Sequence, residues 1–169
     1  MTRRVLVELV VVVAVLAALG VAAGVVWEWV WTPTTGVVVE HRWGPADALG
    51  LQQQFSGTGW YVVIGVVAGL VGGVLASLVA DRVPLATLAA VVVGSALAAW
   101  LMLTVGTALG PADPQHLAKT AADGTRLPSA LAVSGRSPWI SFPVGALAGL
   151  AVVFIGLSPR SRDQVRKDR

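Results

Sequence analysis

The feature that most constrains this chain is a set of four long apolar runs, Val5 to Trp31, Trp60 to Ala80, Leu85 to Leu109 and Trp139 to Leu157, none with a charge near its middle. A stretch of about 20 apolar residues, wound as a helix, crosses a hydrocarbon core of about 30 Å. The expectation is therefore an all-α integral membrane four-helix bundle over residues 1–157, followed by a basic tail at 158–169. Composition agrees: 12% charged residues is about half the usual share of a water-soluble domain.

Within the first run the only ionisable residues are Glu8 and Glu28, about 30 Å apart along a helix, so they mark the two edges of a span. A cleaved signal segment has an apolar stretch of about 7 to 15 residues, whereas this one is far longer and ends in Trp27, Glu28, Trp29 and Trp31. A retained span is expected. Asp81, Arg82, Val83 and Pro84 leave room only for a tight turn, which predicts that the second and third spans are antiparallel neighbours.

Lys and Arg set the orientation. Eight lie at the N-terminus, the 81–84 turn and the tail, against four in segments 32–59 and 110–138. The positive-inside rule then puts both termini in the cytoplasm and the two long loops outside. Trp27, Trp29, Trp31, Trp60 and Trp139 all fall at the outer boundary on this assignment, as an aromatic belt would.

Lipid offers little hydrophobic drive for one helix to find another, so small residues that admit close backbone approach must supply the contact. Gly65, Gly69, Gly73 and Ser77 recur every four residues, and Gly20 with Gly24, Gly106 with Gly110 and Gly145 with Gly149 repeat the spacing. These stripes are read as helix-packing faces, within the bundle or between copies of the chain.

The first outer loop contains Val37 to Trp43, β-branched enough for a short strand or hairpin on the bundle mouth. The second carries an apolar patch, Leu127 to Val133, interrupted by Pro128, expected to rest on the bilayer surface or on the first loop. With five basic residues, the tail suits anionic lipid or a protein partner.

Chemistry is sparse. Absence of cysteine excludes disulfides, thiolate metal sites and iron-sulfur clusters. Neither a nucleotide-cradling glycine loop nor a nucleophile elbow occurs, and the basic residues read as topology signals rather than a nucleic-acid surface. No cofactor is implied. The outer-face candidates are Glu28, Glu40, His41 and Asp113, with His116 and Asp47 nearby, but their spacing matches no metal-ligand pattern, and within a strand Glu40 and His41 would point to opposite faces.

The stretch FSGTGWYVVIGVVAGLVGGVLA at 55–76, the short turn after it, a third span ending Leu109-Gly110-Pro111, and a fourth opening at Trp139 with Pro143 carry a resemblance. Over residues 5–157 the chain resembles small four-span membrane proteins of high-GC actinobacteria classed as domains of unknown function. The resemblance implies a multi-pass plasma-membrane protein and assigns no catalytic or binding residue.

The expected role is a non-enzymatic structural or accessory subunit of the cell envelope, contacting partners through its outer loops and glycine faces. Two other readings stay open: a small transporter or channel formed by oligomerisation, and an envelope enzyme using the outer-face candidates.

Overall fold

A computed structural model describes residues 3–46, 48–79 and 83–157, the side chains at 48–54 and 157 excepted. The turn residues Asp81 and Arg82, Asp47 and the basic tail lie outside the described residues. Four long apolar helices dominate, each long and apolar enough to cross a membrane: α1 (Arg3–Val30), α2 (Ala48–Val79), α3 (Pro84–Leu109) and α5 (Ser141–Leu157, preceded by a 3₁₀ turn at Ser137–Ile140). A small three-stranded sheet and a short helix, α4 (Pro114–Ala118), complete the fold.

The helices alternate in direction. Around the bundle they run α1, α3, α5, α2, and the two closest pairs are α1 with α3 and α2 with α5. Both pairs are parallel, since contacts advance in the same sense along each partner. This corrects the expectation that α2 and α3 are side by side: the short connection makes them antiparallel, but they sit across a diagonal. The reason is the small residues, which let the parallel partners approach more closely than the connected helices do.

In α2 and α5 the glycines are reciprocal. A Cβ on Gly69 would fall on the Phe142 carbonyl oxygen and one on Gly73 on that of Ala146; one on Gly145 would fall on Val66 O and one on Gly149 on Leu70 O. Gly65 lies against Ser141 Oγ, while Ser77, half-buried, donates its hydroxyl to Val74 O at 2.6 Å within its own helix. Across the other pair, a Cβ on Gly20 would stand 2.5 Å from Ala98 O and one on Gly24 2.8 Å from Met102 O. Gly106 instead makes room for the Trp27 ring, and Gly110, the C-cap of α3, for Leu131. Leu16, fully buried, joins the two pairs, its methyls lying between Gly72 of α2 and Gly94 of α3.

Two mid-helix hydroxyls of α3 bond within their own helix: Ser95 donates to Val92 O and Thr104 to Trp100 O. Thr87, in the first turn, donates to Val83 O.

Helix α2 starts twelve residues before the apolar run at Trp60, so the first loop spans 31–47 instead of 32–59. Its opening turns, with Leu51, Gln52, Gln53 and Gln54, have good helix formers but too little hydropathy to register as part of a span. They project beyond the apolar part toward the sheet. There Gly57 O accepts a hydrogen bond from Trp27 Nε1 at 2.8 Å, which ties the extension to α1.

Candidate functional site

The sheet end of the bundle is built from the two long connections, between α1 and α2 and between α3 and α5. Strand β1 (Thr35–Val39) is central, flanked by β2 (Arg42–Pro45) and by β3 (Arg126–Pro128), all antiparallel. The hairpin between β1 and β2 comes from the first connection and β3 from the second, some 90 residues on. One sheet therefore joins the two loops, and the Leu127 to Val133 patch rests on the first loop, partly through β3 and partly through Leu131, which enters the main core.

The joint is locked beside the strands. Ser129 N–H donates to Thr34 O at 2.7 Å, and Thr34 N–H donates back to Ser129 Oγ at 3.0 Å. On one face of the sheet Val38 stands opposite Trp43, and the two pack with Ala118 of α4 into a small second core. Trp43 Nε1 donates to Leu127 O across β1, and its own carbonyl accepts from Gln115 Nε2 at 2.9 Å. Asp113 caps α4 by accepting from Gln115 N–H at 2.9 Å.

Between sheet, α4 and bundle mouth lies a cleft of about 200 Å³, whose walls include Trp31, Trp43, Asp113, Gln115, Ser129 and Ser134. Trp31 and Trp43 are only 8% and 9% exposed. Beside it, Ser134 N–H donates to Thr58 Oγ1, which ties the second connection to the start of α2.

The sequence candidates are scattered over this end. Of the four, only Asp113 lines the cleft. Glu28 is half-buried in α1, and among the described residues no ion pair joins it to Arg42, which opens β2. Glu40 and His41 are not strand residues. They form the two-residue hairpin turn, with φ of 50° and 59°, and both are exposed. Positive φ at both positions is what the right-handed twist of a two-residue hairpin demands, and Asn-Gly meets it at less steric cost than Glu-His. The His41 N–H reaches Asp123 Oδ1 at 3.4 Å. His116 is exposed in the last turn of α4. Among the described residues no three His, Asp or Glu side chains are grouped as metal ligands would be.

The aromatic belt divides. Trp29 is 81% exposed, and Trp60 and Trp139 are also exposed, but Trp27 is fully buried and Trp31 nearly so. Alternation at a helix end explains it, since Trp27 and Trp31 share one face and Trp29 lies on the opposite one. Trp43, Gln115, Ser129 and Ser134, which wall the cleft, escaped the sequence reading. They come from three separate segments and follow no motif; the one signal was Trp43, an aromatic closing the β-branched stretch that begins at Val37.

No family model matches the chain, and neither any curated protein nor any solved structure is significantly similar to it.

Proposed function

We propose that this chain is a multi-pass protein of a bacterial plasma membrane, with both termini cytoplasmic, acting as a non-enzymatic accessory subunit whose outer platform contacts a protein partner. One observation carries the reading: both outer connections are fused into a single sheet clamped to the bundle, so that end presents a fixed surface. A partner meeting such a surface loses little to ordering it.

The interior favours an accessory role over a channel. Its centre is filled by Leu16, Trp27, Tyr61, Met102 and Phe142, all fully buried, and a proton or ion route through lipid ordinarily needs an ionisable group facing that centre. The glycine stripes at Gly20, Gly24, Gly69, Gly73, Gly145 and Gly149 are engaged within the chain, which leaves the outer platform and the exposed Trp29 as contact surfaces.

The test is made in native membrane. Reporter fusions after Trp43 and Gly124 are expected to read outside, and photocrosslinkers at His41 and Lys119 to give the same discrete protein adduct. Crosslinks only to lipid, together with solute flux through the purified chain in proteoliposomes, would replace the accessory reading with transport.

A further inference from the structure

We infer that the cleft between the sheet, α4 and the mouth of the bundle is a binding site for an alkylammonium group, held by the Asp113 carboxylate against Trp31 and Trp43. The inference does not depend on the protein partner proposed above, because it concerns a concave site and a small ligand.

Charge comes first. Among the described residues Asp113 is the one formally charged residue in the walls, and no Lys, Arg or His lines the cleft. One of its oxygens is engaged by Gln115 N–H at 2.9 Å, which fixes the carboxylate at the start of α4 without neutralising it. An anion would meet a like charge here and no counter-charge, whereas a cation meets a carboxylate beside two indoles, the combination that recognises ammonium groups elsewhere.

Hydrogen bonding points the same way. The Trp43 Nε1–H is engaged with Leu127 O, so this indole offers the cleft carbon and π surface and no free donor. Gln115 Nε2 is turned onto Trp43 O, which leaves the amide oxygen as an acceptor. The Asp113 carboxylate and the Gln115 amide oxygen are acceptors, and a group that donates and carries positive charge complements them.

Size limits the ligand. The cleft holds about 200 Å³, below the range of about 300–1,000 Å³ usual for whole drug-sized ligands. It suits an ammonium head with two or three carbons. Such a head comes either from a free small amine or from an amino-headgroup lipid, since the cleft opens where the helices emerge from their apolar stretch.

The experiment is calorimetric titration of ethanolamine into the full chain, held in nanodiscs of phosphatidylglycerol only and, separately, in nanodiscs that also contain phosphatidylethanolamine. Saturable binding is expected in the first, weakened about tenfold or more by Asp113→Asn. Asparagine still caps α4, so this variant keeps the helix start while removing the charge. Loss of the free-ligand signal in the second nanodisc marks the lipid headgroup as the source; equal binding in both marks a soluble amine.

Absence of saturable binding, or binding unchanged in Asp113→Asn, overturns the inference. A measurement on the unaltered chain covers any folding defect of the variant: ethylene glycol, with a hydroxyl in place of the ammonium, is expected not to compete. If it competes as well as ethanolamine, the cleft recognises polyols instead.

Discussion

Trp27 of α1 and Tyr61 of α2 meet edge to face, ring centroids 5.1 Å apart and planes at 77°. Each ring then spends its polar atom on a further element: Trp27 Nε1–H donates to Gly57 O, and Tyr61 O–H donates to Ala99 O of α3 at 2.9 Å. Three helices are thus pinned at one level just inside the sheet end. Since both rings are fully buried, an unmade bond here has no water to replace it.

Tyr61→Phe keeps the ring and loses only the bond to Ala99 O, and is expected to cost about 1 kcal/mol. Trp27→Phe loses the bond to Gly57 and opens a void besides, so about 2–4 kcal/mol is expected. Thermal or denaturant unfolding in a fixed detergent measures both. Equal costs would mean that the void beside Gly106 closes.

The parallel pairs give a sharper contrast. Gly73→Leu must push α2 off the Ala146 backbone and is expected to cost at least about 3 kcal/mol or prevent folding. Gly59→Ala in the same helix meets nothing within 4 Å and is expected to be neutral or stabilising by up to about 1 kcal/mol. If both variants melted alike, close backbone approach would not be what binds α2 to α5.

At the hairpin, replacing Glu40-His41 by Asn-Gly puts residues that accept positive φ where the backbone already has it. A gain of about 1 kcal/mol is expected, read as a higher melting temperature of the sheet in hydrogen exchange or unfolding. The His41 backbone N–H that meets Asp123 survives the change. A loss of stability would show that the two side chains make contacts that outweigh the backbone cost.

Thr34 presents the opposite case, a polar atom whose removal should help. Its Oγ1 is buried without a hydrogen-bond partner, while its backbone makes both bonds to Ser129. Thr34→Val preserves shape and branching and removes the unsatisfied hydroxyl, so it is expected to stabilise by up to about 1–2 kcal/mol. Destabilisation in an unfolding titration would place a water on Oγ1.

Much of this architecture was legible in the chain itself. Hydropathy is a sum over neighbours, so the four apolar helices stand out within a few residues at most ends; Val5 to Trp31 became Arg3–Val30, and Leu85 to Leu109 became Pro84–Leu109. The exception was α2, whose first turns hold helix formers with too little hydropathy to stand out as part of a span; Gly57, further along, is what meets Trp27 and Trp31. Of the site, Asp113 was singled out, but its surroundings were not. Of the short strand or hairpin expected over Val37 to Trp43, the hairpin is what forms; Glu40 and His41, weighed as strand residues among β-branched neighbours, are its turn, forced by the pairing of Val39 with Arg42.

The sequence alone determined that four helices are long and apolar enough to cross a membrane and that each carries small residues on a repeating face, because both properties are local. Which helices pair was decided only in three dimensions. Glycine spacing occurs in all four long helices and names no partner, and the selection of α1 with α3 and of α2 with α5 depends on how the backbones and the buried side chains of Leu16, Trp27 and Tyr61 fit together. The same holds at the sheet end, where Thr34 and Ser129 are 95 residues apart and Trp43 and Leu127 are 84 apart. Hydrogen bonds at that separation have no signature in the chain; they exist because burying those backbone groups unpaired would cost more than bringing the two connections together.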